Sequence, residues 1–279
     1  MLIQELRQRI NNETYADAII SAVLDCPRTQ FKGTGKISDK DALLCEEIIK
    51  NWKVGVDLAY ERGKWRFMDM PLIINQDVMP PVHESETLVN AIVNRHGNKE
   101  SMLELGTGCG IIALGIAKNT NTRMVATDIS EGALKVARQN ARLNDVDVEF
   151  VQSDMFKQVQ GRYDLIVSNP PSSPTSKLDK LAQDGQLNMP RVSREAGEDG
   201  FKFHRIIVAN SPAYLKENGV LAFEICYDGQ KTKDMIIQSP AFDVQSMETA
   251  TDIKGDEKAV FARLCTPIVG QTKQQEIIR

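Results

Sequence analysis

Residues 101–112 read Ser-Met-Leu-Glu-Leu-Gly-Thr-Gly-Cys-Gly-Ile-Ile, and this stretch decides the fold. Its apolar beginning predicts a buried strand, and Gly106, Gly108 and Gly110 predict a turn into a helix. Glycines at such a turn accept a positive φ and let a ligand lie against bare backbone. The order of strand, glycine turn, helix and second strand is typical of a nucleotide-binding βαβ unit.

An acidic residue completes this unit. Asp128 ends the run Met124-Val-Ala-Thr-Asp, 22 residues after Gly106 (128 − 106), where a carboxylate can accept hydrogen bonds from both hydroxyls of a ribose. The glycine spacing differs from the G-x-G-x-x-G of dinucleotide enzymes, because Ile111 stands at their third glycine position. No lysine and serine follow that could bind a triphosphate. The sequence therefore predicts an adenosine ligand that carries no phosphate.

The composition excludes several classes of protein. The chain has 279 residues, of which 42% are hydrophobic and 26% are charged. No apolar run approaches the roughly 18 residues of a membrane span, and the N-terminus lacks a signal-peptide pattern, so we expect a cytoplasmic protein with no membrane partner. The five cysteines and three histidines lack metal-ligand spacing, so we predict no metal site. The net charge of −4 argues against nucleic acid as a partner.

The hydrophobic pattern divides the chain into three parts. Residues 1–62 predict a small helical N-terminal domain, which begins with a helix over 2–25. Residues 63–97 predict a hairpin and a helix that connect this domain to the next one. Over 98–279 strands alternate with helices, so the fold class is α/β: a Rossmann-like parallel sheet with helices on both faces. The ligand is expected outside the carboxyl ends of the strands.

A second acidic residue follows the third predicted strand. Asp154 comes just after the strand expected at 147–151, where its carboxylate would accept a hydrogen bond from an adenine amino group. Met155 would then pack on the adenine ring. A helix cap or a turn is an equally good interpretation of Asp154, because aspartate is favoured at both.

The run Tyr163-Asp-Leu-Ile-Val-Ser-Asn-Pro-Pro-Ser-Ser-Pro predicts a buried strand that delivers Asn169 to the sheet's carboxyl edge. The two prolines after it stiffen the backbone and hold the Asn169 side chain and the Pro170 carbonyl in place. Two carbonyl oxygens aimed at one point suit a substrate NH or NH₂ group. Accepting its hydrogens turns the nitrogen lone pair towards an electrophile. The alternative is a rigid turn that merely ends the strand.

Together these residues carry a family resemblance. From about Trp65 to Leu264 the chain resembles class I S-adenosylmethionine-dependent methyltransferases, and among them the release-factor glutamine methyltransferases of the HemK/PrmC group. The matching pieces are Asp77-Val-Met-Pro-Pro-Val-His-Glu-Ser-Glu-Thr-Leu-Val, Leu103-Glu-Leu-Gly-Thr-Gly-Cys-Gly, Ala126-Thr-Asp-Ile-Ser, Tyr163-Asp-Leu-Ile-Val-Ser-Asn-Pro-Pro, Ala196-Gly-Glu-Asp-Gly-Phe, Tyr214-Leu-Lys-Glu-Asn-Gly and Asp252-Ile-Lys-Gly-Asp-Glu-Lys-Ala-Val-Phe-Ala-Arg.

The resemblance implies an enzyme that uses S-adenosylmethionine as its cofactor. It implies that Asn169 and Pro170 are the catalytic residues, which hold the acceptor nitrogen. The cofactor-binding residues that it implies, together with neighbours that we add, are Glu104, Gly106, Thr107, Gly108, Gly110, Asp128, Ile129, Asp154, Met155 and Asn169. We place the substrate-binding residues at Phe67, Pro171, Ser172, Arg191 and Arg194.

Two departures from the family concern the acceptor. The family has tyrosine or another aromatic residue after Asn-Pro-Pro, which packs on the planar group of the acceptor, whereas this chain has Ser172. The family's Pro-Arg-Pro is replaced by Pro80-Pro-Val-His. The sequence therefore favours methyl transfer to a nitrogen of a small molecule or a protein side chain.

Three alternatives to this predicted methyl transfer remain. The first is a true release-factor glutamine methyltransferase. The second is an enzyme of specialised metabolism that acts on a small amino or hydroxyl compound, or that uses S-adenosylmethionine itself as the substrate and releases methylthioadenosine. The third is an inactive module that only binds the cofactor.

The segment 172–198 is predicted as a long polar loop. Its length favours a lid over the acceptor pocket rather than a solvated surface loop. Cys109, inside the glycine turn, is interpreted as a small packing residue and not as a nucleophile.

Overall fold

The computed structural model describes residues 1–10, 13–31, 35–225, 228–252 and 254–265. Its α-helices are α1 (Ile3–Ile10), α2 (Glu13–Leu24), α3 (Asp39–Lys50), α4 (Trp52–Arg62), α5 (Ser85–His96), α6 (Ile111–Asn119), α7 (Glu131–Asn144), α8 (Thr175–Gln183), α9 (Lys202–Tyr214) and α10 (Gly229–Ile237). Its strands are β1 (Lys64–Phe67), β2 (Met70–Ile73), β3 (Ser101–Leu105), β4 (Arg123–Asp128), β5 (Glu149–Gln152), β6 (Tyr163–Ser168), β7 (Leu215–Glu224), β8 (Phe242–Thr251) and β9 (Glu257–Leu264).

The N-terminal region is helical, from α1 to α4. The helix expected over 2–25 is described as α1 and α2, and residues 11–12 between them lie outside the described ranges. Ser38 caps α3, because its hydroxyl accepts a hydrogen bond from the Asp41 amide at 3.0 Å. Gly63 ends α4 in the left-handed region, with a φ of 64°.

The hairpin of β1 and β2 joins the helices to the rest of the chain. The strands pair antiparallel, with Trp65 opposite Leu72, and a two-residue turn connects them. Both turn residues, Met68 and Asp69, have positive φ, as tight hairpin turns require. Trp65, Phe67 and Leu72 are buried in a hydrophobic core that also contains Ile19 and Met102, so the helical region and the sheet share that core.

A buried ion pair also joins these parts. Arg28, in the short 3-10 helix Arg28–Phe31, donates a hydrogen bond to the carboxylate of Glu86 in the first turn of α5. The Glu86 carboxylate contacts His83 as well, at 3.4 Å. The proposed boundaries after residues 62 and 97 coincide with the ends of α4 and α5, but the division into domains stays a prediction.

The large sheet has seven strands in the order β5-β4-β3-β6-β7-β9-β8. The five from β5 to β7 are parallel, whereas β9 pairs antiparallel with both β7 and β8. The α/β fold class is confirmed. The expectation of a wholly parallel sheet is wrong at its β9–β8 edge, where a short turn connects the two strands and no helix crosses over.

The segment 172–198 is folded, and the prediction of a structureless loop is wrong. It contains α8 and a 3-10 helix, Arg191–Ser193. The two ends of the segment are joined by backbone hydrogen bonds between Ser173 and Arg194 at 2.8 Å and between Ala196 and Ser173 at 2.9 Å. Leu178 of α8 is completely buried, which anchors the helix. No helix in the described ranges is long and apolar enough to cross a membrane.

Candidate active site

The glycine turn lies between β3 and α6. Gly106, Gly108 and Gly110 all have positive φ, at 75°, 55° and 93°. A Cβ atom added at Gly106 or Gly108 would meet no atom within 4 Å, whereas one at Gly110 would lie 3.2 Å from the Leu114 side chain. The first two glycines therefore leave open space against bare backbone, and the third permits close packing of the helix.

Asp128 ends β4 beside this turn. One carboxylate oxygen accepts a hydrogen bond from the Gly108 amide and the other from the Ser130 amide, both at 2.9 Å. Burial raises the pKa of Asp128, and these amides act in the opposite direction. A carboxylate has about four lone-pair sites, so Asp128 keeps acceptor capacity for ligand hydroxyls.

A cavity of about 300 Å³ opens over the glycine turn. Pockets for small ligands start at about this size. The structure brings together ten of the predicted residues in its wall: Glu104, Gly106, Thr107, Gly108, Asp128, Ile129, Asp154, Met155, Asn169 and Pro171. Gly110 is not in the wall. Segment 77–82 also lines the cavity, and none of its residues was among the predicted site residues, although Asp77-Val-Met-Pro-Pro-Val belongs to the first matching piece.

Glu104 is a buried acid in the floor of this cavity. One of its oxygens accepts hydrogen bonds from the Thr107 hydroxyl at 2.7 Å and from the Ala113 amide at 3.0 Å. Burial raises the pKa of Glu104 to about 7, against the effect of these two donors. The carboxyl group thus braces the glycine turn against the start of α6.

Asp154 and Met155 lie in the turn after β5. The Asp154 carboxylate forms an ion pair with Lys157 at 2.7 Å, and its side chain is partly exposed. Met155 has a φ of 51°, an uncommon value for a residue with a side chain. Both residues line the cavity, so the turn and the predicted ligand contact are compatible interpretations of the same segment.

Asn169 follows β6 at the carboxyl edge of the sheet. The Ser168 hydroxyl donates to the Leu105 carbonyl at 2.7 Å and so ties the end of β6 to the end of β3. Asn169 and Pro171 line the first cavity and also a second one of about 420 Å³. The second cavity contains the other predicted acceptor residues, namely Pro170, Ser172 and Arg194.

Phe67 and Arg191 are placed outside both cavities. Phe67 is completely buried in the core beneath the hairpin. The guanidinium group of Arg191 forms ion pairs with Asp179 and Glu195, at 2.7 Å each, which hold α8 against the 3-10 helix. Neither side chain is positioned to bind an acceptor beside Asn169.

The first cavity fits S-adenosylmethionine. The adenosine part needs a carboxylate for its ribose and apolar contacts for its base, and Asp128, Ile129 and Met155 provide these in one wall. Gly106 and Gly108 leave the room in which the rest of the molecule would lie. Within the described residues no cluster of His, Cys, Asp and Glu could hold a metal ion.

Comparison with known proteins also points to a methyltransferase. A family model described as a methyltransferase small domain matches residues 83–189. The release factor glutamine methyltransferase of Bacillus subtilis (strain 168) is 31% identical over 221 residues, which cover 75% of this chain and 76% of that protein. The enzyme of the same name from Bacillus anthracis is 27% identical over 271 residues, which cover 93% and 95%.

A solved structure shares the fold. The 16S rRNA N2 G1207 methyltransferase (RsmC) of T. thermophilus, in complex with AdoMet and guanosine, superposes with a TM-score of 0.51 at 16% identity, over 72% of this chain and 50% of that one. The α/β sheet is therefore the Rossmann-like sheet of class I methyltransferases. With that fold, a cavity that fits S-adenosylmethionine and this level of identity, the chain is an S-adenosylmethionine-dependent methyltransferase and belongs to the release factor glutamine methyltransferase family.

Proposed function

We propose that this enzyme methylates a nitrogen atom of a small acceptor that occupies the second cavity, beside Asn169. The observation that carries the proposal is the shared wall: Asn169 and Pro171 belong to both cavities. A cofactor in the first cavity and an acceptor in the second would meet at these residues. Methyl transfer needs such a meeting, because the nucleophile must approach the methyl group directly.

The chemistry divides between the cofactor and the chain. S-adenosylmethionine supplies a methyl group on a positively charged sulfur, which becomes neutral when the methyl group leaves. The chain supplies the position of the nucleophile: the Asn169 side-chain carbonyl and the Pro170 carbonyl accept hydrogen bonds from the acceptor nitrogen. These bonds orient its lone pair, and Pro170 and Pro171 keep both acceptors rigid.

Ser172 supports a small acceptor over a planar amide. The backbone of Gly200 packs closely against this point, because a Cβ atom added at Gly200 would lie 2.6 Å from the Ser172 carbonyl oxygen. A serine side chain leaves space in the second cavity and offers no ring on which a planar group could stack. The family name is the argument for the other candidate, a glutamine side chain of a release factor, since the similar proteins carry that name.

Mass spectrometry can separate these candidates. The enzyme is incubated with S-adenosylmethionine and, in separate reactions, with a panel of small amines and amino acids, with purified release factor, and with no acceptor. We expect S-adenosylhomocysteine and a methylated small molecule, and a weaker reaction with the Ser172→Tyr variant. Methylated glutamine in the release factor would contradict the proposal. Methylthioadenosine formed without an acceptor would show instead that the aminobutyrate part of the cofactor is the substrate.

We also place the reaction in the cytoplasm. The cysteines in the described ranges, Cys26, Cys45, Cys109 and Cys265, are free thiols. Free thiols are typical of reducing compartments.

A further inference from the structure

The second cavity carries charges of both signs, and we propose that it recognises a free amino acid, with the carboxylate bound by Arg194 and the amino group placed beside Asn169 and Glu224. This inference rests on the proposed function, because it takes the second cavity as the acceptor site. It adds the chemical class of the acceptor and assigns a separate residue to each of its charged groups.

Arg194 is the cation that faces the cavity without an acid of its own. It follows the 3-10 helix of the lid, and its side chain is half-buried. Its guanidinium group forms no hydrogen bond or ion pair within the described part of the chain. Burial lowers the pKa of Arg194, and no neighbouring carboxylate acts against this. A half-buried guanidinium group in this setting favours an anionic ligand, and its planar fork matches a carboxylate.

The lid holds Arg194 at this position. The Arg194 carbonyl accepts a hydrogen bond from the Ser173 amide at 2.8 Å. This bond joins Arg194 to the residues that directly follow Asn-Pro-Pro. The neighbouring Arg191 differs, since its guanidinium group is already paired with Asp179 and Glu195. Of these two lid arginines, Arg194 is thus the one available to a ligand.

The negative side of the cavity lies on the sheet. Ser168 of β6 is opposite Phe223 of β7, so the residues that follow them, Asn169 and Glu224, lie at the same level on neighbouring parallel strands. Glu224 is 2% exposed, and both residues line the second cavity. A carboxylate next to the Asn169 amide suits an amino group, because it attracts an ammonium ion and can accept its proton.

The other charged residues of the second cavity do not change this arrangement of a cation at Arg194 and an acid at Glu224. Lys258 on β9 also lines the cavity but is close to its own acid, Asp252, at 3.7 Å. Lys177 and Glu84 are exposed at the rim. An uncharged amide would offer no negative charge to Arg194. An acid without an amino group would offer no positive charge to Glu224. A molecule with both charges can place its carboxylate at Arg194 and its amino group beside Glu224.

The transfer step balances in this arrangement. The ammonium group of the amino acid first gives one proton to the Glu224 carboxylate and so gains a lone pair. That lone pair forms the new nitrogen–carbon bond while the sulfur–methyl bond breaks and leaves its electron pair on the sulfur. The product is a secondary ammonium ion, and Glu224 then returns its proton to water.

Calorimetry on the enzyme saturated with S-adenosylhomocysteine tests the inference. The probes are the twenty standard L-amino acids and, for the one that binds most tightly, the matching amine that lacks the carboxyl group. We expect the amine to bind about 10- to 100-fold more weakly, as expected for a lost hydrogen-bonded charge pair. Arg194→Gln should weaken binding of the amino acid by the same factor, leave the amine unchanged, and be partly rescued by Arg194→Lys. The matched control is Arg162→Gln, an exposed arginine just before β6 at the opposite end of the sheet.

The outcomes separate this inference from the proposed function. Equal affinity for amino acid and amine, no measurable binding of any of the twenty, or equal losses for both ligands in Arg194→Gln would overturn the inference. Methylation of an amine without a carboxylate, unaffected by Arg194→Gln, would overturn it too and leave the proposed function intact. An amino acid that binds through Arg194 but is never methylated would contradict both the proposed function and its assignment as the acceptor.

Discussion

Glu104 should make the stability of the enzyme depend on pH. In the unfolded chain its pKa is the ordinary 4.5, and burial raises it to about 7 in the folded state. A raised pKa means that the folded state holds the proton more tightly. The contribution to the free energy of unfolding is therefore complete below pH 4.5 and is lost as the pH rises through about 7. At 1.36 kcal/mol per pKa unit the whole loss is about 3 kcal/mol, of which about 2 kcal/mol falls between pH 5.5 and 8.

Glu104→Gln isolates this effect. A glutamine carbonyl oxygen can still accept the hydrogen bonds from Thr107 and Ala113, but the side chain never ionises. Urea unfolding of the protein without cofactor, at several pH values from 5.5 to 8, gives the free energy of unfolding of both proteins. We expect the wild type to lose about 2 kcal/mol relative to Glu104→Gln over this range. The exposed Glu217→Gln variant is the matched control. Parallel curves for the wild type and Glu104→Gln would refute the reasoning.

Three further changes probe the other parts of the structure. Asp128→Ala should weaken binding of S-adenosylmethionine by about 2–4 kcal/mol in calorimetry, since two hydrogen bonds to a charged acceptor are lost; unchanged affinity would remove Asp128 from the site. Asn169→Ala should leave the cofactor Kd nearly unchanged and lower kcat by about 100-fold, and full turnover would contradict its positioning role. Glu86→Gln should lower the free energy of unfolding at pH 7 by about 2 kcal/mol, because the partly buried Arg28 loses its hydrogen-bonded carboxylate and keeps only the more distant Asp69, at 3.9 Å, and equal denaturation midpoints would contradict this.

The pH dependence of the Glu86 contribution has the opposite sign to that of Glu104. Burial alone would raise the pKa of Glu86, but the hydrogen bonds and charges of His83 and Arg28 outweigh it and lower the pKa to about 2. The contribution of this ion pair is therefore present above the ordinary pKa of 4.5 and is lost as the pH falls towards 2. The two acids titrate in different pH windows, so their effects can be measured separately.

The predicted residues of the first cavity could be identified from the sequence because each lies in a short, recognisable motif. The positive φ of the three glycines, the end of β4 at Asp128 and the end of β6 at Ser168 follow from short runs of sequence. Each run contains a turn whose chemistry allows few conformations. The residues of the first cavity then come together because parallel strands end at one edge of the sheet.

The missed elements depend on tertiary contacts. β8 has a mostly solvent-exposed, polar sequence, Phe-Asp-Val-Gln-Ser-Met-Glu-Thr-Ala-Thr, and it forms a strand because β9 is available for pairing. α8 is a short helix of nine residues in which Leu178 is the buried side chain, so its position depends on what Leu178 packs against in the fold. The pairing of Arg191 with Asp179 and Glu195 follows from the fold of the 172–198 segment, and no spacing in the sequence distinguishes Arg191 from Arg194.

The two cavities take their walls from different segments of the chain. Membership of the family and the choice of the acceptor are therefore two separate questions. The first cavity is centred on one βαβ unit, in which the glycine turn and Asp128 lie together, and segment 77–82 and the turn after β5 complete its wall. The second cavity takes its walls from the 79–84 segment, the Asn-Pro-Pro turn, the 172–198 segment, the end of β7 and the start of β9. Under the proposed function, a change of a single side chain such as Ser172 or Arg194 would alter the acceptor and leave the glycine turn unchanged. Identity of 31% over 75% of this chain therefore shows the family, whereas under the proposed function these few side chains decide the acceptor.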